Sequence, residues 1–316
     1  MVGKLLPNRV RRTYLGGARI DAFTGFRPED DGALRPEDWL ASTVTAFNGK
    51  VEIAGEGLGR LEDGRLVRDV VGALPILVKL LDSDERLVIQ AHPTVAFARA
   101  RMNSAVGKTE CWYFLPGTAP DTCVYLGFQP GITREKWARA FEEQKGQLDW
   151  LHRIPVRAGD FVFVDGGVPH AIGGGCFMIE LQEPSDLMVV AERFTPSGRE
   201  IPEAKLHGGL GFAGMHDVYA YDGLDIDEVC RRYVRRSGAV TSCERVLGPE
   251  LTDKFAMWRL GPGASPLKLA RPQGVVVVTD GEGAVNGVPA KAGDRLVFAD
   301  ETELTIKGGC TAVVSL

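Results

Sequence analysis

The segment VIQAHPT (Val88–Thr94) places two polar side chains, Gln90 and His92, inside a run that otherwise reads as a buried strand. Side chains alternate across a strand, so Gln90 and His92 are expected to point to the same face. Ile89 and Ala91 would then point to the other face and into the core. This spacing allows one amide oxygen and one imidazole to share a ligand.

Two further segments add side chains of the same chemical kind. Glu110 lies in the strand-like run GKTECWYFL (Gly107–Leu115), where alternation places Cys111 on the opposite face. His170 follows Pro169 at the end of a third strand-like run. The chain therefore offers a carboxylate and a second imidazole at strand positions far apart in the sequence.

Gln90, His92, Glu110 and His170 together form a mixed set of nitrogen and oxygen donors. Such a set suits a divalent transition metal, above all zinc, and leaves room for a water or a substrate oxygen. A site without thiolates and with an exchangeable position is more typical of catalysis than of structural stabilisation. Each residue, taken alone, could equally be a buried polar side chain that is satisfied by hydrogen bonds.

The elements that must position these residues are mostly strands. Helical patterning is limited to Thr133–Leu151, where Thr133 can act as N-cap, to Leu224–Gly238, and to a shorter stretch after Pro93. Most of the remaining chain alternates apolar and polar residues, or has short β-branched and aromatic runs between turns. A parallel α/β fold would need a helix after nearly every strand. The sequence therefore predicts a mainly β protein with a few accessory helices.

An internal similarity predicts two β domains. RAGDFVFVDGG (Arg157–Gly167) and KAGDRLVFADE (Lys291–Glu301) share a basic residue, an Ala-Gly-Asp turn and an apolar strand. The turn glycine can adopt a positive φ and the aspartate can cap the turn, although two common turn-strand units could also agree by coincidence. No histidine follows His216. We therefore expect a catalytic domain over residues 1–238 and a smaller domain without a metal site over 239–316.

Composition excludes several classes of protein. Of 316 residues, 44% are apolar and 25% are charged, which is ordinary globular usage. The net charge of −5 argues against a nucleic-acid partner. The six cysteines are dispersed without a C-x-x-C pair, which fits neither a disulfide framework nor a thiolate zinc site. With no apolar run of signal-peptide or membrane-spanning length, we expect a soluble cytoplasmic protein with no membrane partner and an oligomeric state that the sequence does not indicate.

Three segments resemble the signature segments of the type I mannose-6-phosphate isomerases, which have the cupin fold: VKLLDSDERLVIQAHPT, GKTECWYFL and VPHAIGGGCFMIELQEPSD. The resemblance runs from about Leu15 to Phe194, and more loosely to the C-terminus. It implies two cupin-type, jelly-roll β-barrel domains and one zinc ion per chain. It also implies that Gln90, His92, Glu110 and His170 are the zinc ligands, and that the substrate is a small sugar phosphate.

Further positions are implied by the same resemblance. Lys79 and Lys108 match lysines that line the family's active site, Glu180 and Asp186 match its acidic pair after the last ligand, and Glu37 in PEDW matches an acidic residue of its N-terminal segment. We expect the two lysines to handle phosphate or oxyanion charge, and Glu180 to act as acid or base. Each of these charges could instead be a solvated surface group.

One departure from the family concerns an arginine. The family has it four residues after the Ser-Asp pair, where this chain has Val190. Arg193 lies three positions further on, and that odd offset puts it on the opposite face of a regular strand unless a β-bulge intervenes. Arg193 is therefore a candidate catalytic residue only through such an irregularity.

The resemblance implies interconversion of mannose 6-phosphate and fructose 6-phosphate through an enediol, with zinc as a Lewis acid. Three alternatives stay open: an isomerase of the same family for another sugar or sugar phosphate, which Val190 favours; a non-catalytic cupin that binds sugar or metal; and a cupin dioxygenase that uses iron. Turnover would separate the second from the isomerases, and redox-active metal content would identify the third.

Overall fold

The structure, a computed structural model, describes residues 1–30, 32–47, 55–236, 238 and 242–316. This part of the chain is mainly β, as predicted, and its helices are short. None of the helices within the described ranges has both the length and the apolar character needed to cross a membrane.

The strands, in chain order, are β1 (Val2–Lys4), β2 (Arg9–Val10), β3 (Glu37–Leu40), β4 (Leu77–Ser83), β5 (Gln90–Ala91), β6 (Glu110–Phe114), β7 (Cys123–Phe128), β8 (Leu151–Pro155), β9 (Phe161–Val164), β10 (His170–Ile172), β11 (Cys176–Gln182), β12 (Val189–Val190), β13 (Val234–Arg235), β14 (Cys243–Leu247), β15 (Met257–Leu260), β16 (Leu267–Lys268), β17 (Gly274–Asp280), β18 (Glu282–Val285), β19 (Val288–Lys291), β20 (Arg295–Phe298), β21 (Glu303–Leu304), β22 (Ile306–Gly308) and β23 (Thr311–Ser315). The α-helices are α1 (Arg19–Thr24), α2 (Val67–Val71), α3 (Val95–Arg101), α4 (Arg134–Glu143), α5 (Glu203–His207), α6 (Gly211–Met215) and α7 (Ile226–Tyr233), with short 3₁₀ turns at Gly32–Leu34 and Leu148–Trp150.

Two antiparallel sheets enclose the first core. One has the strand order β13-β9-β6-β11-β4-β3-β2 and the other β12-β5-β10-β7-β8. Apolar side chains from both fill the space between them, among them Trp112 and Leu126. The inner face of β6, β11 and β4 is apolar over part of its length and charged over the rest. The charged part carries Glu110, Glu180 and Lys79. The charged end of this interior is where the candidate site lies.

Helices cover the outside of the five-stranded sheet. Ile89 and Ala91 pack in one cluster with Trp137 and Phe141 of α4, on the face opposite Gln90. The alternation predicted for this strand is therefore confirmed.

A third sheet, with the order β1-β20-β17-β23-β15-β14, belongs to the C-terminal part of the chain. One face packs on the outer face of the seven-stranded sheet, where Val275 and Val277 share a cluster with Cys111 and Tyr113. Its other face forms a separate core with the small sheets β19-β18-β22 and β16-β21. The division at residues 238 and 239 stays a prediction, but β1 from the N-terminal end crosses it to pair with β20.

Both Ala-Gly-Asp segments form the same turn. Gly159 has φ 89° and Gly293 has φ 88°, the left-handed region that favours glycine. The carboxylate of Asp160 accepts a hydrogen bond from the backbone N–H three residues earlier at 3.1 Å. Asp294 does the same at 3.0 Å, and each turn leads into a strand, β9 or β20. The turn chemistry predicted for the two segments is therefore present in both.

Two predicted helices are shorter than expected. The helix predicted over Thr133–Leu151 begins at its N-cap Thr133 but ends at Gln144, which adopts a left-handed φ of 49°. The helix predicted over Leu224–Gly238 spans only Ile226–Tyr233, because the chain then pairs with β9 and exchanges helical for sheet hydrogen bonds. The helix after Pro93 is present as α3.

Candidate metal centre and cleft

Three predicted ligands meet just after the end of β5 and at the first residues of β6 and β10. One ligand atom each from His92, Glu110 and His170 lies within 4.8 Å of the others. The Nε2 atom of His92 is 3.2 Å from one carboxylate oxygen of Glu110, and that of His170 is 3.4 Å from the other. All three side chains are buried.

Backbone carbonyls orient the two imidazoles. The Nδ1 atom of His92 lies 2.9 Å from the carbonyl oxygen of Leu187, and that of His170 lies 2.9 Å from the carbonyl of Val168. Each Nδ1 can donate only as N–H, so each Nε2 is left with its lone pair towards the cluster. Burial, together with the nearby Lys108 ammonium, lowers the pKa of His92 to about 3. The pKa of His170 is lowered as well, mainly by burial, so both rings are neutral, as metal ligation requires.

The cluster fits a divalent cation. The Oε1 atom of Glu110 and the Nε2 atom of His170 are fully buried and have no hydrogen-bond partner among the described residues. Such atoms are costly unless something compensates them. Lys108 already places a positive charge there, with its Nζ 2.5 Å from Glu110 Oε2 and 2.7 Å from His92 Nε2. Two neutral imidazoles and one carboxylate form a set of ligands that zinc prefers, and two of their atoms are still without a partner.

Gln90 stands beside the cluster on the neighbouring strand. It pairs in register with His170 and lines the same cleft as Lys108. The structure thus brings together all four predicted ligand residues, while ligation by Gln90 stays a prediction.

The second predicted group surrounds Lys79. Its Nζ is 2.6 Å from Glu180 and 3.7 Å from Glu37. Burial lowers the pKa of Lys79, but the two carboxylates outweigh this and raise it to about 12. Burial also raises the pKa of Glu180, which the attraction of Lys79 offsets only in part.

Glu37 is held by more partners than Glu180. It accepts hydrogen bonds from the Tyr14 hydroxyl and the Trp39 indole N–H, both at 2.7 Å, and its Oε1 lies 3.1 Å from Arg12 Nε. Burial alone would raise its pKa, but Arg12 and Lys79 outweigh burial and lower it.

Asp186 forms a bidentate pair with Arg12, at 2.9 and 3.0 Å. It also accepts a hydrogen bond from the backbone N–H of Phe47 at 3.0 Å. Although burial works in the other direction, Arg12 holds the pKa of Asp186 well below its ordinary range. The predicted acidic pair therefore splits, with Glu180 bound to a lysine and Asp186 to an arginine.

Sequence reasoning missed two cations that line the cleft, Arg12 and Lys205. Arg12 comes from the segment after β2 and Lys205 from α5, and both are buried. Neither lies in a segment with a recognisable pattern. The only signal for Arg12 would have been its distant partner Asp186, which no local spacing indicates.

Arg193 needs a correction. It lies outside the cleft, with its guanidinium 4.6 Å from the ring centre of Phe141 and 5.1 Å from that of Phe212. The strand β12 and Ala191 continue in regular register, so no bulge turns Arg193 inwards. Val190 lines the cleft instead, and the odd offset puts Arg193 on the other face.

Gln90 and Lys108, which lie beside the His92–Glu110–His170 cluster, line one cleft together with Lys79 and Glu180. This cleft encloses about 550 Å³, counted with its opening to solvent. Part of its wall is apolar and includes Val88, Val190 and Ile201, which pack together. The cleft can therefore hold a polar molecule between Lys108, which contacts the metal cluster, and the cations Arg12 and Lys205.

No protein-family model matches the chain. Mannose-6-phosphate isomerase ManA of Bacillus subtilis is 29% identical over 251 residues, which cover 76% of this chain and 74% of that protein. The crystal structure of the mannose 6-phosphate isomerase from Bacillus subtilis superposes with a TM-score of 0.74 at 21% identity, covering 100% of this chain and 99% of the other. A mannose 6-phosphate isomerase bound with zinc and yttrium superposes with a TM-score of 0.69 at 14% identity, covering 99% and 98%.

These similarities confirm the resemblance to the type I mannose-6-phosphate isomerases that the three sequence segments indicate. They also confirm the prediction of an isomerase enzyme. The structural matches agree with the mainly β, cupin-type fold.

Proposed function

We propose that this protein is a zinc-dependent isomerase that interconverts mannose 6-phosphate and fructose 6-phosphate. The observation that carries the proposal is the buried His92–Glu110–His170 cluster with its two unpaired acceptor atoms. Lys108, which contacts this cluster, lines the same cleft as the Lys79–Glu180 pair. The relatives named mannose-6-phosphate isomerase support the choice of substrate.

Gln90, His92, Glu110 and His170 would hold one zinc ion per chain, which when bound supplies Lewis-acid polarisation of the oxygens at C1 and C2. The chain's own residues then have distinct tasks. Glu180, whose pKa is raised by burial, takes the proton from C2 and returns it to C1 through an enediol. Lys79, paired with Glu180 at 2.6 Å, orients that carboxylate and stabilises its charged form. Lys108 offers a positive charge to oxygen atoms that become negative during the reaction.

A second candidate is an isomerase of the same kind that acts on another sugar or sugar phosphate. The observation in its favour is the apolar wall at Val190, where the resembling family has an arginine. A pocket with this wall would interact differently with substrate hydroxyls, while the metal cluster and the Lys79–Glu180 pair would serve the same chemistry.

The test is release of fructose 6-phosphate from mannose 6-phosphate by purified protein, before and after chelation and after zinc is restored. We expect turnover that is lost on chelation, recovered with zinc and reduced by about 1,000-fold or more in His92→Ala. The matched control is His152→Ala, which removes an imidazole that is hydrogen-bonded to the Leu224 carbonyl. It should keep zinc content and turnover.

Metal analysis of the same samples should give one zinc per chain in the wild type and a loss in His92→Ala. No turnover of mannose 6-phosphate by folded, zinc-loaded protein would overturn the assignment. A panel of other aldoses and aldose phosphates would then test the second candidate. If none of these sugars is turned over, the remaining alternative is a non-catalytic protein that binds sugar or metal.

A further inference from the structure

Lys205 is a buried cation that forms no ion pair with any of the residues that the structure describes. It lies on α5, is 3% exposed and lines the cleft. Taking an ammonium group out of water is costly unless an opposite charge compensates it. Within the part of the chain that the structure describes, no carboxylate oxygen lies within 4.0 Å of its Nζ, and no hydrogen bond satisfies it.

The other cations of the cleft are already paired. Lys79 contacts Glu180 at 2.6 Å, Lys108 contacts Glu110 at 2.5 Å, and Arg12 holds Asp186 through two hydrogen bonds. An incoming anion would have to compete with a buried carboxylate for each of them. Lys205 can accept an anion without breaking an existing pair.

The charges around Lys205 support the same conclusion. Burial, followed by repulsion from Arg12, lowers the pKa of its ammonium to about 8, and attraction by Asp186, Glu37 and Glu56 does not restore it. These carboxylates act from a distance and are themselves engaged, Asp186 and Glu37 with Arg12. Among the described residues, the charge of Lys205 is therefore compensated only in part.

We propose that Lys205 receives the phosphate group of the substrate and thereby sets the preference for phosphorylated over free sugars. The proposal rests on the proposed function. A phosphate monoester is a dianion with several acceptor oxygens, and a lysine supplies a compact point charge with three donors. Because the phosphate takes no part in bond breaking at C1 and C2, Lys205 acts on binding and not on the chemical step.

The kinetic test compares zinc-loaded wild type, Lys205→Met and Lys205→Arg on mannose 6-phosphate and on mannose. We expect KM for mannose 6-phosphate to rise about 10-fold or more in Lys205→Met, with kcat within about 3-fold, as expected when uniform binding is lost. The ratio of kcat/KM for mannose 6-phosphate to that for mannose should fall by about 10-fold or more, and Lys205→Arg should recover part of it. The matched control is Lys268→Met, an exposed lysine of β16, which should leave all values unchanged.

A binding test separates this inference from the proposed function. Titration calorimetry with inorganic phosphate should detect binding to wild type and to His92→Ala, and no binding to Lys205→Met. This result without any turnover of mannose 6-phosphate would overturn the proposed function and support the phosphate site. An unchanged KM in Lys205→Met, with normal turnover, would overturn the phosphate site alone. Phosphate binding that survives in Lys205→Met would overturn it as well.

Discussion

At the scale of single residues, the number of donors on each buried carboxylate indicates which one can move a proton. Glu37 is held by Tyr14, Trp39 and Arg12, and Asp186 by a bidentate guanidinium and a backbone N–H. Both have lowered pKa values and are fixed as anions. Glu180 has Lys79 as its single hydrogen-bond partner among the described residues, and burial raises its pKa. Glu180 is therefore the carboxylate best suited to proton transfer.

Replacing Glu180 by glutamine keeps the shape and removes the base. We expect kcat to fall by about 100- to 10,000-fold, with KM changed by no more than about 3-fold, because general-base catalysis is lost and binding is not. Steady-state kinetics on mannose 6-phosphate measures both. Glu142→Gln, at an exposed carboxylate near Arg193 and outside the cleft, is the control. An unchanged kcat in Glu180→Gln would assign the proton transfer to another group.

Arg193 is expected to matter for stability and not for turnover. Arg193→Met removes the contacts with Phe141 and Phe212, which should lower the free energy of unfolding by roughly 1 kcal/mol. The value of kcat/KM should stay within about 3-fold of wild type, whereas Arg12→Lys, which breaks the bidentate pair with Asp186, should lower it by about 10-fold or more. Abolished turnover in Arg193→Met would restore Arg193 as a candidate for the missing family arginine.

The lowered pKa of Lys205 also predicts a pH dependence of stability. In the unfolded chain a lysine has an ordinary pKa near 10.5, against about 8 in the folded protein. Below about pH 8 Lys205 is protonated in both the folded and the unfolded protein, so the folded state bears the full cost of the buried charge. Between the two pKa values Lys205 loses its proton in the folded protein but keeps it in the unfolded chain. The free energy of unfolding therefore rises with pH in this range. Arg12, Asp186, Glu37 and Glu56 are the charged groups that act on Lys205. The pKa of Arg12 is raised and those of Asp186 and Glu37 are lowered, so these three keep their charges in this range.

Lys205→Met should therefore be more stable than wild type at neutral pH by roughly 1–3 kcal/mol. The difference should shrink as the pH rises past about 9. Urea denaturation of both zinc-loaded proteins at several pH values measures it. A difference that does not change with pH would mean that packing, not charge, is responsible.

At the scale of elements, strand alternation could be predicted from the sequence because it depends only on neighbouring residues. Gln90 and His92 do point away from Ile89, and Glu110 points away from Cys111. Helix ends were predicted less well because the chain after Tyr233 is drawn into a strand pair with β9, which no local pattern announces.

The cations of the cleft were harder still to predict. The Arg12–Asp186 pair joins residues 174 positions apart, and α5 carries Lys205 on a five-residue helix without helical periodicity. Such contacts depend on how the sheets and helices assemble. The candidate metal ligands could be predicted because each lies within a short segment with a recognisable pattern, whereas these two cations could not.

The end of α5 offers a test of how this helix positions Lys205. Gly208 closes the helix with φ 54°, and a Cβ atom there would lie 2.6 Å from the backbone oxygen of Met188. Gly208→Ala should therefore cost roughly 2–4 kcal/mol and raise KM for mannose 6-phosphate, because the clash displaces α5.

The control is Gly198→Ala, at φ 84° with nothing within 4 Å of the added Cβ. It should cost only roughly 1 kcal/mol and leave KM unchanged, since it has the backbone strain without the clash. Equal effects of the two variants would show that the contact with Met188 does not hold the helix in place.

At the scale of the whole molecule, the C-terminal part contacts the segment that carries Lys108, next to the candidate metal centre. Glu183, which follows β11, accepts hydrogen bonds from the backbone N–H groups of Gly107 and Thr109, on either side of Lys108. Lys254, from the loop between β14 and β15, contacts the same carboxylate at 3.0 Å and also the Thr109 hydroxyl. A residue without catalytic chemistry thereby fixes the backbone that carries Lys108.

This contact predicts coupling between the two parts of the chain. Lys254→Met should lower the free energy of unfolding by about 1 kcal/mol, and a double-mutant cycle with Glu183→Gln should give a coupling energy of roughly 0.5–1.5 kcal/mol. Glu183→Gln should also lower kcat, because the backbone around Lys108 loses a charged acceptor. Chemical denaturation and steady-state kinetics measure these effects, with Lys268→Met as the neutral control. If the free-energy changes of Lys254→Met and Glu183→Gln are strictly additive, the two side chains do not stabilise each other's position.

The pairing of β1 with β20 determines when the third sheet can form during translation. The backbone amine of Met1 meets the carbonyl of Ala299, which lies 298 residues away. At ribosomal speeds of about 5–20 residues per second, Val2–Lys4 waits on the order of 15–60 s for its partner strand. The strands of the seven-stranded and five-stranded sheets are made during that time, whereas β20 and β23 of the third sheet come later. The strand β1 therefore stays without its partner until after every strand of the first two sheets has been made.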